Sequence, residues 1–225
     1  KKKMDKKRKI IIDCDPGHDD AVAIMLAARN PKLELLGITT VRGNQTLEKV
    51  TKNALNVCQF LNIDVPVCKG LADAIVRPSL PTEERVHGDS GLDGPVFGPL
   101  AKQLDPRHAV DFIIETVMNS EDNVTLVPTG PLSNIAMAIK KEPRLLEKID
   151  EIVLMGGAYQ HGNVTPAAEF NIMADAEAAY VVFHCGRPVV MMGLDLTRQA
   201  LCYPEIVERM SHVKTTAGKL FVDLM

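Results

Sequence analysis

Short β-branched, apolar runs alternate with longer segments of helical period along this chain, and that alternation constrains the fold more than any other feature. Lys9–Cys14 (KIIIDC), Leu33–Thr40 (LELLGITT), Val65–Gly70 (VPVCKG), Asn123–Thr129 (NVTLVPT), Asp150–Gly157 (DEIVLMGG) and Pro188–Asp195 (PVVMMGLD) read as strands. Between them, Asp19–Asn30, Thr46–Asn62, residues 106–119, Pro131–Lys141 and residues 175–186 read as helices; in the second, Leu47, Val50, Ala54, Val57 and Leu61 share one face. Strand–helix alternation of this kind predicts an α/β fold, with a mostly parallel central sheet covered by helices on both faces. With 225 residues, no internal repeat and no low-complexity linker, one domain over residues 9–225 is expected, preceded by a basic tail at 1–8 (KKKMDKKR).

The remaining composition excludes more than it specifies. A net charge of −3 gives no reason to expect nucleic acid or an anionic membrane as partner. No apolar run reaches the roughly 18 residues of a membrane span. Cys14, Cys58, Cys68, Cys185 and Cys202 lie far apart with no CxxC pair, which predicts reduced thiols and a cytoplasmic protein, with Cys14 a packed core thiol.

Chemistry concentrates at the first strand end. Asp13, Asp15, Asp19 and Asp20 crowd into DCDPGHDD, where Pro16-Gly17 turns the chain into the first helix. A helix N-terminus favours one negative charge, but a cap alone needs only one carboxylate. Three carboxylates beside a turn glycine, with no second cysteine, suggest a hard divalent cation held by oxygen, Ca²⁺ or Mg²⁺ rather than Zn²⁺; His18 could ligate, although an oxygen site does not require it. Asp-x-Asp at a strand end also opens Mg²⁺-dependent phosphatases with an aspartyl nucleophile, but Pro-Gly-His-Asp-Asp fits that pattern poorly, and Asp13 reads as structural.

In a parallel sheet, ligands bind beyond the carboxyl ends of the strands. Arg42, Gly43 and Asn44 fall there after the second strand, Thr129 after the fourth, Gly156 and Gly157 after the fifth, and Asp195 after the sixth. Two long irregular stretches, 70–100 and 156–170, are rich in Gly, His, Asp and Asn and read as site-forming loops. As bare letters, Glu169 before a helix suggests a cap, Asn163 a turn residue and His87 an ordinary loop histidine. His108, His161, His184 and His212 read as surface or structural.

Six blocks carry a resemblance in order and spacing: DCDPGHDD (13–20), TTVRGNQTLEKVTKNAL (39–55), HGDSGLDGP (87–95), VPTGPLSNIA (127–136), EIVLMGGA (151–158) and GNVTPAAEFNIMADAEAA (162–179). Together they resemble the inosine-uridine-preferring nucleoside hydrolases, and His18, HGDSGLDGP and MMGLDLT are most similar to the pyrimidine-preferring members. The resemblance implies Ca²⁺ bound by Asp15, Asp20 and the Thr129 carbonyl, with Asp15 also the general base toward water. It implies that Asp19 binds the ribose 2′-hydroxyl, that Asn44, Asn163, Glu169 and Asn171 contact the ribose, and that His87 lies near the base. The implied activity is hydrolysis of ribonucleosides, chiefly uridine and cytidine, to ribose and free base in cytoplasmic nucleoside salvage, by a homotetramer or homodimer. The same resemblance implies a longer chain, whose further segment carries a His–Asp pair that His212 does not match. TTAGKLFVDLM has helical spacing, with Leu220 and Leu224 on one face, and stops without a capping signal. The sequence therefore reads as C-terminally incomplete, which leaves an inactive nucleoside-binding or interaction protein as the alternative.

Overall fold

The computed structural model describes residues 6–225, so most of the expected basic tail lies outside the described residues. The chain runs β1 (Arg8–Cys14), α1 (His18–Arg29), β2 (Leu33–Thr40), α2 (Leu47–Phe60), β3 (Val67–Lys69), α3 (Glu84–His87), α4 (Ala109–Asn119), β4 (Val124–Pro128), α5 (Ser133–Lys141), α6 (Leu145–Lys148) and β5 (Ile149–Met155). It continues through α7 (Phe170–Ala174), α8 (Ala176–Phe183), β6 (Val189–Met192), α9 (Leu194–Thr197), α10 (Pro204–Ser211) and α11 (Thr216–Leu224).

The strands form one six-stranded sheet in the order β3-β2-β1-β4-β5-β6, and every pairing is parallel. Central β1 has β2 on one side and β4 on the other, with Ile12 level with both Ile38 and Val127. Successive connections leave β1 in opposite directions, so the chain opens a crevice beyond the carboxyl ends of β1 and β4. This switch point is where the aspartate cluster lies.

Alternation along β1 sends its side chains to two cores. Ile11 packs with Leu126, Ile135 and Ile152 beneath α4, α5 and α8. Ile10, Ile12 and Cys14 pack with Ile24, Val57 and Leu220 beneath α1, α2 and α11. Leu220 and Leu224 are both buried, as their spacing predicts. Burial also pushes the Cys14 thiol well up and Cys58 and Cys68 to about 12, so these three behave as packed hydrophobes.

Element boundaries differ from expectation where tertiary context intervenes. The edge strand β3 keeps only three residues; the Pro66 carbonyl still accepts from the Ile38 amide of β2 at 2.9 Å, but proline has no N–H to extend the ladder. Asp195 does not end β6; it sits in the helical turn α9. The expected helix at 175–186 is α8, which ends at Phe183; a separate short helix, α7, precedes it, and the Asp175 carboxylate between them caps α8 by accepting from the Ala178 amide at 3.0 Å. Loop 70–100 contains one helical turn, α3, which ends at His87.

Candidate active site

Asp15 lies one residue beyond β1 and is fully buried. Its Oδ2 accepts from the Asn44 amide at 2.7 Å, and Asn44 Nδ2 donates back to the Asp15 carbonyl at 3.0 Å. Its Oδ1 is buried with no hydrogen-bond partner. Two glycines make room for this carboxylate: a Cβ at Gly43 would lie 2.1 Å from Oδ2, and one at Gly130 would lie 2.6 Å from Oδ1. Burial, reinforced by the charge of Asp20, drives the Asp15 carboxyl well above its ordinary range.

Asp20 belongs to the first turn of α1 and is also buried. Its Oδ2 accepts from the Gly17 amide at 3.2 Å, and its Oδ1 accepts from the Thr129 hydroxyl. Burial pushes it to about 8, with Asp19 adding to the rise and the Thr129 hydrogen bond opposing it. Two buried acids are thus held at one strand end, and one oxygen has no partner. A cation would neutralise them where a proton otherwise must.

Thr129 is fixed from both sides. Its amide donates to the Asp13 carbonyl at 2.8 Å, and its own carbonyl accepts from Asn171 Nδ2 at 2.8 Å. Among the described residues, no group of three or more His, Cys, Asp and Glu side chains could hold a metal. A cation here would therefore rest on two carboxylates, Asp15 and Asp20, plus the Thr129 carbonyl; the unpartnered Oδ1 of Asp15 and the all-oxygen donors fit Ca²⁺ or Mg²⁺.

Above this pair opens a cavity of about 330 Å³. Asp19, Asp20, Asn44, His87, Thr129, Asn163, Glu169 and Asn171 all line it; Asp15 is not part of the lining and reaches it through its hydrogen bonds with Asn44. Residues scattered over 150 positions in the sequence therefore meet at one site. The Glu169 carboxylate is strongly engaged: it accepts from the Gly157 amide at 2.8 Å and, as the cap of α7, from Asn171 and Ile172. Asn163 Oδ1 accepts from the Phe170 amide at 2.9 Å. The cap and turn roles expected of Glu169 and Asn163 are thus present, on residues that also face the cavity.

The cavity wall includes Glu83, Arg85, Val86, Met155, Val164 and Phe170, which sequence reasoning did not single out. For the first three, the available signal was their place beside His87 in a long loop. Asp13 does not reach the cavity: Thr39 Oγ1 (2.6 Å) and Asn134 Nδ2 (2.8 Å) hold it behind the strand, which removes it as a nucleophile. The Asp195 carboxylate accepts from the Tyr159 and Gln160 amides and so anchors loop 156–170. His18 turns away from the aspartates toward His87, with ring centroids 5.3 Å apart. His108 caps α4 and His184 stacks on Tyr180, both structural.

The inosine-uridine preferring nucleoside hydrolase model matches residues 10–225. The chain is 60% identical over 219 residues to a pyrimidine-specific ribonucleoside hydrolase, RihB, of Escherichia coli strain UMN026, covering 97% of this chain and 70% of that one. Among solved structures it is similar to a purine-preferring ribonucleoside hydrolase from Gardnerella vaginalis, with a TM-score of 0.91 and 39% identity over 96% of this chain and 70% of that one. It is also similar to the plant nucleoside hydrolase PpNRh1, with a TM-score of 0.89 and 34% identity over 96% of this chain and 69% of that one.

Proposed function

Because this chain belongs to the inosine-uridine preferring nucleoside hydrolase family, we propose that it cleaves the N-glycosidic bond of pyrimidine ribonucleosides, uridine and cytidine, to ribose and free base. Its 60% identity to a pyrimidine-specific hydrolase favours pyrimidines, while its likeness to a purine-preferring structure shows that the fold alone does not decide the base. The observation that carries the reading is the buried Asp15 carboxylate, with one unpartnered oxygen, tied through Asn44 to a cavity that Asp19, Asp20, Asn163, Glu169 and Asn171 also line.

The reaction develops positive charge on the ribosyl ring as the base leaves and a water attacks the anomeric carbon. Asp15, Asp20 and the Thr129 carbonyl would hold Ca²⁺, which when bound polarises the ribose diol and the attacking water. Asp15, ionised in that state, takes a proton from the water. Asp19 accepts from the 2′-hydroxyl, and Asn44, Asn163, Glu169 and Asn171 fix the remaining ribose hydroxyls. The anionic and amide groups that ring the sugar favour the cationic ribosyl centre over the neutral substrate. His87 stands at the base side of the cavity.

The same reading makes residues 9–225 one catalytic domain behind a basic tail, acting as a homotetramer or homodimer in cytoplasmic nucleoside salvage. Five free cysteines favour a reducing compartment. Among the described residues, no helix is long and apolar enough to cross a membrane. The test is base release from uridine, cytidine, inosine and adenosine with Ca²⁺ and after chelation. Chelation-sensitive release from uridine and cytidine is expected. No release from any nucleoside would overturn the proposal, and calorimetric binding without turnover would leave a nucleoside-binding protein instead.

A further inference from the structure

We infer that Gln45 and Asn53 are positioning residues: their buried amide groups clamp the loop bearing Arg85, Val86 and His87 to the backbone that holds Asp15, and so set one wall of the cavity against the cation side. This rests on the proposed hydrolase reading, in which the His87 wall faces the base.

That wall cannot hold itself. The α3 helix is a single turn of four residues with no buried side chain, and one helical turn is unstable without contacts from outside it. Arg85 and Val86 are exposed, yet both line the cavity beside His87. Their placement therefore depends on anchors elsewhere in the fold.

The anchors lie in α2 and in the segment that enters it. The Glu83 amide donates to the Asn44 carbonyl at 2.8 Å. Gln45 is 1% exposed and gives both hydrogens of Nε2 to the loop, to Glu84 Oε1 at 3.3 Å and to the Asp89 carbonyl at 3.1 Å. Its Oε1 accepts from the Thr46 amide at 3.0 Å. Asn53 is 5% exposed, and its Nδ2 donates to the Ser90 carbonyl at 2.9 Å and to the Pro16 carbonyl at 3.2 Å. Lys49 adds a hydrogen bond to the Asp89 carbonyl, and Leu92 packs into the core beneath α1 and α2.

A carboxamide offers two hydrogens from one nitrogen, so one side chain can join two segments. Asparagine is a poor residue for a helix interior, and here it spans the turn after Asp15 and the loop. Gly91 lets the loop lie directly on both amides: its φ is +78°, and a Cβ there would lie 2.9 Å from Gln45 Cγ and 3.3 Å from Asn53 Nδ2. The supports are shared with the cation side. Asn44, next to Gln45, holds Asp15 through its amide and side chain, while its carbonyl receives Glu83.

Two variants test the clamp. Asn53→Ala keeps α2, since alanine is the better helix former, and Gln45→Met keeps length and apolar bulk without the amide. Each is expected to lower kcat on uridine by about 10–100-fold, the cost of an ångström-scale misplacement, and to leave competitive inhibition by ribose unchanged. A purely structural role would lower the melting temperature and leave kcat per folded molecule as it was. Hydrogen exchange read by mass spectrometry tests the clamp without substrate. The amides of Val86, His87, Gly88 and Gly91 are bonded within the loop. A peptide over residues 83–92 should exchange about 10-fold faster in either variant, as a locally opened unit does, with the β1 peptide unchanged. Unchanged kcat overturns the inference, as does loop exchange that stays the same or rises only together with β1. If Asn53→Ala does not fold, Gln45→Met decides alone by the same outcomes. If the native chain turns over no nucleoside, the hydrolase reading fails, and the exchange result decides the clamp.

Discussion

Replacing Asp13 by asparagine should flatten the pH dependence of stability. Asp13 is fully buried in the sheet; its Oδ1 accepts from Thr39 and Asn134, and its Oδ2 has no partner. Burial lifts this carboxyl from an ordinary 3.8 to about 7, against the lowering effect of the two hydrogen bonds. The folded state therefore holds a proton that the unfolded chain has released between these values. Stability falls as pH rises through that window, because the unfolded state binds fewer protons than the native one. Between pH 5 and pH 8, some two pH units lie below the native pKa; at about 1.4 kcal/mol per unit the loss is about 3 kcal/mol. Asparagine keeps the shape and the Oδ1 acceptor but cannot ionise. Urea unfolding of both proteins in chelator, at pH 5 and pH 8, should show the native chain losing about 3 kcal/mol more than Asp13→Asn, or about 6–12 °C in melting temperature. The chain has no tryptophan, so far-ultraviolet circular dichroism is the suitable probe. Asp15 and Asp20 contribute to both proteins and cancel to first order. Parallel stability–pH curves would refute the reasoning, since they would mean that Asp13 is ionised in the fold at no cost.

Two further outcomes follow from the site. Gly43→Ala would place a Cβ 2.1 Å from Asp15 Oδ2 and 2.8 Å from Pro131 Cδ, so the carboxylate must move; Ca²⁺ affinity by calorimetry should fall by about 10–100-fold, as when the support of a metal ligand is disturbed, and an unchanged affinity would remove Asp15 from the cation site. Because Asp19 and its neighbours are assigned to the ribose hydroxyls, 2′-deoxyuridine should be hydrolysed more slowly than uridine by up to about 10⁴-fold in kcat/KM, the discrimination of a site whose polar groups are left unpaired; comparable rates would show that Asp19 does not read the 2′-hydroxyl.

The parts of this protein legible in the sequence are those whose causes are local. Ile10-Ile11-Ile12 makes a strand and Pro16-Gly17 a turn wherever they fall, and alternation with helices then forces a parallel sheet with its ligand crevice at the carboxyl ends. Asp15, Asp20 and Thr129 converge because each follows directly on one of the paired strands β1 and β4 or on the turn between β1 and α1, which needs no long-range knowledge. The Glu169 cap was equally local, set by a carboxylate two and three residues ahead of the helix amides it serves. What was hidden depends on pairs that only the finished fold creates. Nothing near Gly43 or Gly130 reveals that both face the Asp15 carboxylate, since the clash that excludes a side chain comes from another strand end. Asp13 and Asp15 look alike as letters in DCD, and each keeps one unpartnered oxygen, yet Asn134 and Thr39 hold the first while Asn44, which lines the cavity, holds the second. His18 is the sharpest case, for its neighbours in sequence are the acidic cluster and its partner lies in a loop 69 residues away. Its identity suggested a spare ligand for that cluster; its geometry ties the start of α1 to the loop bearing His87.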